Sequence, residues 1–292
     1  MAGDMDPVRD ESFPMRDRLK KFLLFLTLGV LCACLLAGCE EGEVLGFPTA
    51  APQAATAAPS PAPDSWQLLR PGLERRRLDV VNEQGLRIET LTILRLEPKL
   101  FQFKVAYHTV PQSLEAWQAE TQALIVINGG YFWQKEELYY PTGLIVVEGK
   151  AIGSTYDTFA GMLAVTKAGP ELRWLAQKPY NPKEALQSAL QSFPLLVKPG
   201  GELGFPEKFE DQQTARRTVI AQDKKGRILL IIAPQGGFTL HRLSAYLTAS
   251  DLDLHIALNL DGGPSTGLLL AEPAETIAAY DSLPVVITIS PR

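Results

Sequence analysis

Two segments of the 292-residue chain end alike. Leu124-Ile-Val-Ile runs into Asn128-Gly129-Gly130, and Ile256-Ala-Leu-Asn-Leu260 runs into Asp261-Gly262-Gly263. Each is an apolar stretch of strand length, then one short polar side chain, then two glycines. A polar residue at the end of a buried strand is held by the sheet yet open to solvent. The glycines let backbone N–H groups turn toward a ligand because no Cβ blocks the approach, and such groups suit an anion. Asp261 adds a carboxylate beside them. The alternative is a pair of tight turns in which Asn128 and Asp261 bond their own backbones. Arg216 and Arg217 open a further apolar run, and alternation along a strand points them to opposite faces, one of them solvated.

Gly263-Pro-Ser265-Thr-Gly267 fits the G-x-S-x-G nucleophile elbow, with a strand before it. In that hydrolase fold an acid and then a histidine follow the serine. Asp281 follows Ser265, but no histidine does, and His255 lies upstream. Leu268-Leu-Leu-Ala271 leads to Glu272-Pro273 where a helix is required. Serine-hydrolase chemistry is therefore disfavoured. His108, His241 and His255 show no close ligand spacing, and the three cysteines all lie at or before position 39. No transition-metal site and no cofactor is implied in the folded part, while a Ca2+ or Mg2+ held by Asp261 and carbonyl oxygens stays compatible with the sequence. Tyr131, Phe132, Trp133, Tyr139 and Tyr140 cluster after the first glycine pair. They read either as a surface that stacks on a sugar or as core aromatics around a turn.

The ordered set Asn128-Gly-Gly-Tyr-Phe132, Pro141-Thr142-Gly-Leu144, Gln191-Ser192, Arg217-Thr218 and Asn259-Leu-Asp-Gly-Gly263 followed by Ser265 resembles the phosphodiester glycosidase family. The likeness covers roughly residues 120 to 270. It departs from the family at Phe193, where glycine often follows Gln-Ser, and at Pro264, where a third glycine often stands and where proline removes an N–H donor. The resemblance implies hydrolysis at a sugar anomeric carbon that bears a phosphodiester. In that chemistry Arg217 would hold the phosphate bidentately. Asp261 would serve as the carboxylate near the anomeric carbon or as activator of water. Asn128, with Gly129, Gly130, Gly262 and Gly263, would orient sugar hydroxyls or phosphate oxygens. Ser265, Thr142, Gln191 and Ser192 are further substrate-binding candidates. A second carboxylate carries no motif; Glu136, Glu137 and Asp157 are open loop candidates.

The elements that must position these residues are mostly strands. Alternating or continuous apolar runs at 86–96, 101–107, 144–147, 162–165, 195–197 and 285–289 predict strands, and Asp223-Lys-Lys-Gly226 predicts a hairpin between 217–222 and 228–233. Ser113 caps an expected helix over 113–122, and Leu240, Leu243 and Leu247 share one helical face. The expected class is α+β, a mixed β-sheet domain with few short helices and its motifs at strand ends.

Net charge is −5, which argues against a nucleic-acid partner. Arg16, Arg18, Lys20 and Lys21 precede an apolar run from Phe22 to Ala37, short for a membrane span and fit for a secretory signal. Leu36-Ala-Gly-Cys39 resembles a bacterial lipoprotein processing site. Residues 1–38 then read as a signal peptide, Cys39 as the lipidated first residue, 39–63 as an Ala/Pro-rich tether and 64–292 as one domain. The expected partners are a phosphodiester-linked glycan and, through acylated Cys39, a lipid bilayer. The expected location is the extracytoplasmic bacterial cell envelope. The alternative function is a non-catalytic lipoprotein that binds anionic glycans through the same pocket.

Overall fold

The computed structural model describes residues 64–155 and 161–292. The expected signal peptide, Cys39, the tether and Asp157 lie outside the described residues. Three sheets dominate. The largest has the spatial order β1 (Gln67–Arg70), β2 (Leu73–Val81), β3 (Arg87–Leu96), β16 (Ile228–Phe238), β15 (Ala215–Asp223), β17 (Leu254–Asn259), β13 (Leu195–Lys198) and β14 (Glu202–Leu203). A second runs β19 (Glu275–Ile277), β18 (Leu268–Leu270), β5 (Ile125–Asn128), β20 (Leu283–Pro291) and β4 (Phe101–Gln112). A third runs β11 (Gly169–Trp174), β10 (Gly161–Thr166), β12 (Ser188–Ser192), β8 (Ile145–Val147) and β9 (Lys150–Ile152). A separate hairpin pairs β6 (Phe132–Lys135) with β7 (Leu138–Pro141).

The domain is thus sheet-rich with two short α-helices, α1 (Leu114–Thr121) and α2 (Leu240–Ala249). Mixed sheets were expected. Every pairing among the described strands is instead antiparallel, as in the β15–β16, β15–β17 and β20–β5 ladders. Hairpins and long returns, rather than βαβ crossovers, join neighbouring strands, so no parallel pair arises. Ser113 caps α1 by accepting from Ala116 N at 3.2 Å, as its sequence position predicts.

One apolar core joins the three sheets. Leu94, Phe103, Ile127, Leu163, Leu190, Ile220 and Leu258 are among its members, each at most 2% exposed. Burying each such side chain stabilises the fold by roughly 1.5–3 kcal/mol. The shared core brings the end of β5, in one sheet, against the ends of β15 and β17, in another.

A bulge shapes the mouth of that junction. Ala215 pairs with Phe238 and Arg217 with Ala233, so Pro234–Gly237 loops out of β16. Glu89, fully buried on β3, grips the loop. Its carboxylate accepts from Gln235 N at 3.0 Å and Gly237 N at 3.1 Å, and from Thr90 N at 3.0 Å. Gly237 must be glycine because a Cβ there would collide with the Ile88 carbonyl. Glu89→Ala should cost about 3 kcal/mol, since a buried donor left without a partner costs about 1–3 kcal/mol. Denaturant unfolding measures this, and a loss under 1 kcal/mol would mean that the bulge is held by other means.

Candidate active site

Asn128 and Asp261 meet where the two sheets touch. The Asn128 side chain is fully buried. Its Oδ1 accepts from Thr218 Oγ1 at 2.7 Å and from Gly267 N at 3.1 Å, and its Nδ2 donates to the Asp261 carbonyl at 2.7 Å. Asp261 N donates in turn to the Gly129 carbonyl at 3.1 Å. The expectation that Asn128 orients substrate is therefore corrected. Its amide faces inward with its bonding capacity filled.

The glycines are corrected in part. Gly129 N donates to the Val285 carbonyl at 2.9 Å, and Gly262 N to Asp261 Oδ1 at 2.9 Å, so neither N–H is left for an anion. A Cβ would lie 2.8 Å from the Val285 carbonyl at Gly129, 3.2 Å from the Gln191 carbonyl at Gly130, and 2.8 Å from the Arg216 carbonyl at Gly262. These three glycines permit close backbone packing. Gly263 differs: its φ of 59° is left-handed, and the space before its Cα is open.

Asp261 is the chemically distinctive group. Burial pushes its carboxyl up to about 6, against bonds from Ser265 and Gly262 N that favour the ionised form, while the Asp281 charge pushes it further up. Ser265 is buried and serves as a donor to Asp261. No histidine attends it. His108 faces Glu120, His241 faces the Phe205 carbonyl, and His255 Nδ1 accepts from Gly200 N. Asp281 enters because Tyr280 N and Asp281 N both donate to the Pro264 carbonyl, at 2.7 and 3.2 Å. Glu136 and Glu137 instead occupy the exposed β6–β7 turn.

Arg217 leans beside Gly262, with Cδ 3.9 Å from where a Cβ would stand. Its Nε donates to the Phe238 carbonyl at 3.3 Å and its Nη2 to the Gln213 carbonyl at 2.9 Å. Burial pushes the guanidinium below its ordinary value, and it makes no ion pair among the described residues. It is a partly desolvated cation that feels the Tyr131, Asp211 and Glu210 groups without a close ion pair. Arg216 points elsewhere, as alternation predicts, but it is not simply solvated. It donates to the Pro234 and Ala278 carbonyls at 2.9 and 2.8 Å and lies 4.2 Å over the Tyr280 ring.

Tyr131 is a site residue that the motif reading passed over. Asn259 Nδ2 donates to its hydroxyl at 2.8 Å. An amide nitrogen accepts no hydrogen bond, so the phenolic proton must point elsewhere. Burial pushes the Tyr131 hydroxyl well above its usual range, the Asp261 charge adds to this, and the Arg217 charge opposes it. Tyr131 is thus a permanently protonated donor that senses both charges. Phe193 stacks on its ring at 4.6 Å, so that departure from the family pattern buttresses the site. Asn259 Oδ1, Ser192 Oγ and Thr266 Oγ1 are buried without partners among the described residues. Thr142 N donates to the Tyr131 carbonyl at 2.8 Å. Gln191, 2% exposed, accepts from Leu144 N at 3.3 Å and faces the interior rather than a ligand.

A cleft of about 850 Å3 lies elsewhere, between β4 and the segments around Glu148 and Gln187, and none of these site residues lines it. Site chemistry outweighs volume here, because the Asp261 site sets a raised carboxyl near a partly desolvated guanidinium. Among the described residues no cluster of three metal-ligating side chains forms.

Residues 121–285 match the phosphodiester glycosidase family model, and the chain belongs to that family. The fold is shared with the catalytic domain of zebrafish N-acetylglucosamine-1-phosphodiester alpha-N-acetylglucosaminidase, auto-inhibited by its pro-peptide. The TM-score is 0.60 at 18% identity, over 78% of this chain and 87% of that one. It is shared also with a hypothetical protein from Synechocystis, with a TM-score of 0.52 at 17% identity over 76% and 62% of the two chains. No curated protein matches the chain.

The raised Asp261 carboxyl has a stability consequence. Its folded value, about 6, exceeds its ordinary 3.8. The fold therefore binds this proton more tightly than the unfolded chain does. Stability falls as pH rises from about 4 to 6 and stays lower above that. Asp261→Asn should stabilise the domain at pH 8 by on the order of 1–3 kcal/mol, with the gain vanishing near pH 4. Unfolding at the two pH values checks this; an equal effect at both would refute it.

Proposed function

We propose that the domain is a hydrolase that cleaves the bond between a sugar anomeric carbon and a phosphodiester oxygen. The observation that carries this reading is the meeting of Asp261, Arg217 and Tyr131 at one strand-end junction. Arg217 supplies a partly desolvated guanidinium that makes no close ion pair among the described residues, suited to a phosphate oxygen pair. Tyr131 donates its proton to a phosphate oxygen beside it. Phosphate is a weakly basic leaving group, so fixed donors can replace a strong general acid. Asp261 works in its ionised form, facing the positive charge that grows at the anomeric carbon or taking the proton of the attacking water. Water adds at that carbon, the carbon–oxygen bond breaks, and the phosphomonoester leaves with the bonding pair.

Activity should therefore fall as pH drops through about 6, the value to which Asp261 is raised. Arg217→Lys should lower kcat/KM about 10- to 100-fold, because a point charge replaces a fork. The assay uses residues 64–292 with UDP-N-acetylglucosamine and sugar–phosphate–sugar esters. Binding of these compounds by the wild-type protein with no release of sugar from any of them would instead support a non-catalytic glycan receptor.

We also propose that the chain is a lipoprotein of the bacterial cell envelope, held to the bilayer by acylated Cys39. The basic residues, the apolar run and Leu36-Ala-Gly-Cys39 support this. Cys39→Ala should move the protein from the membrane fraction to the soluble one and abolish palmitate labelling; unchanged labelling would refute it.

A further inference from the structure

The β6–β7 hairpin begins at the site and leads away from it. The bond from Thr142 N to the Tyr131 carbonyl extends the ladder one pair beyond Phe132 and Pro141. Side chains alternate along each strand, so Tyr131, Thr142, Trp133 and Tyr140 share one face, and Phe132, Gln134, Tyr139 and Pro141 share the other. The second face is anchored. Pro141 is buried, Phe132 meets Tyr139 edge-on at 5.7 Å, and Tyr107 donates to the Tyr139 carbonyl at 2.7 Å. The first face is covered by Phe193 at Tyr131 and opens toward Trp133. Trp133 is 49% exposed, and its ring stacks on Tyr140 with centroids 4.9 Å apart and planes 26° apart. A rise of about 3.3 Å per residue sets Trp133 roughly 7 Å beyond Tyr131 on that face.

We propose that the Trp133–Tyr140 pair is a saccharide subsite that stacks on the sugar leaving with the phosphate. This rests on the hydrolase reading. A wide, flat aromatic surface suits the apolar C–H face of a pyranose ring. It adjoins the one phenol that senses both Asp261 and Arg217. A substrate phosphate held at Arg217 therefore directs one sugar toward Asp261 and the other along the hairpin. A cross-strand aromatic pair also steadies a two-stranded hairpin, so the test must separate recognition from folding.

Two probes differ only beyond the phosphate: N-acetylglucosamine 1-(methyl phosphate), and the same sugar phosphate esterified to O6 of methyl glucoside. Trp133→Ala should raise KM about tenfold more for the glucoside ester than for the methyl ester, with Trp133→Phe restoring much of the difference. Equal losses on both probes, accompanied by a lowered Tm, would make the pair structural only and overturn the proposal. Binding is read separately in the Asp261→Asn protein. The glucoside ester should bind about tenfold tighter than the methyl ester and quench tryptophan fluorescence, and this quench should vanish when Trp133 is also replaced by Phe. Equal affinity for the two probes, or no binding of either, overturns the subsite. If binding discriminates but the wild type releases no sugar, the subsite stands and the hydrolase reading falls.

Discussion

The buried amide of Asn128 is the bracket on which the site depends. It ends a strand of one sheet, accepts a hydrogen bond from the Thr218 hydroxyl in another, and fixes the carbonyl of Asp261. The same residue receives Gly267 N, so the chain entering and the chain leaving the Asp261 loop are both tied to one side chain. A neutral group suits this place. A carboxylate could not donate to the Asp261 carbonyl, and an apolar residue would leave buried donors and an acceptor without partners. The geometry of the carboxylate is thus set by the backbone behind it, and its side chain stays available.

Electrostatics at the front of the site oppose the fold. Asp261 and Arg217 are both partly desolvated, and neither is neutralised by the other as a simple salt bridge. Each ion would be more comfortable in water. That standing cost is expected where a ligand adds a favourable charge contact, and it marks the site more clearly than cavity size does. Phe193 and Asn259 keep the Tyr131 phenol fixed between these charges.

Much of this was legible from residue pattern. The apolar runs before Asn128 and Asp261, the Asp223–Gly226 hairpin and the Ser113 cap all fall where sequence predicts, because burial and turn chemistry act locally. What pattern could not supply was direction. Asn128 and Asp261 sit in like segments, yet one side chain points inward and the other into the site, and that choice is made by Thr218 and Gly267, both far away in the chain. Asp281 carries no motif and reaches the site only because the Pro264 carbonyl gathers the 280–281 backbone. Tyr131 stood among the noted aromatics, but its selection required the position of Asn259. In the third sheet β8 and β10 fall on predicted apolar runs, whereas β9 and the strands of the β6–β7 hairpin have too few residues for periodicity to show.

The grip of Glu89 on the Pro234–Gly237 loop acts through main-chain donors alone. The side chain at 235 takes no part in it, whereas position 236, at a φ of 81°, favours glycine. The shape of this loop accordingly depends on the acid on β3, on left-handed Gly236 and on Gly237 packed against Ile88. The loop carbonyl at Pro234 and the adjoining one at Phe238 receive the two arginines. The side chain at 235 can therefore change while the guanidinium beside Asp261 keeps its place, because the clamp that sets that place runs through main-chain groups.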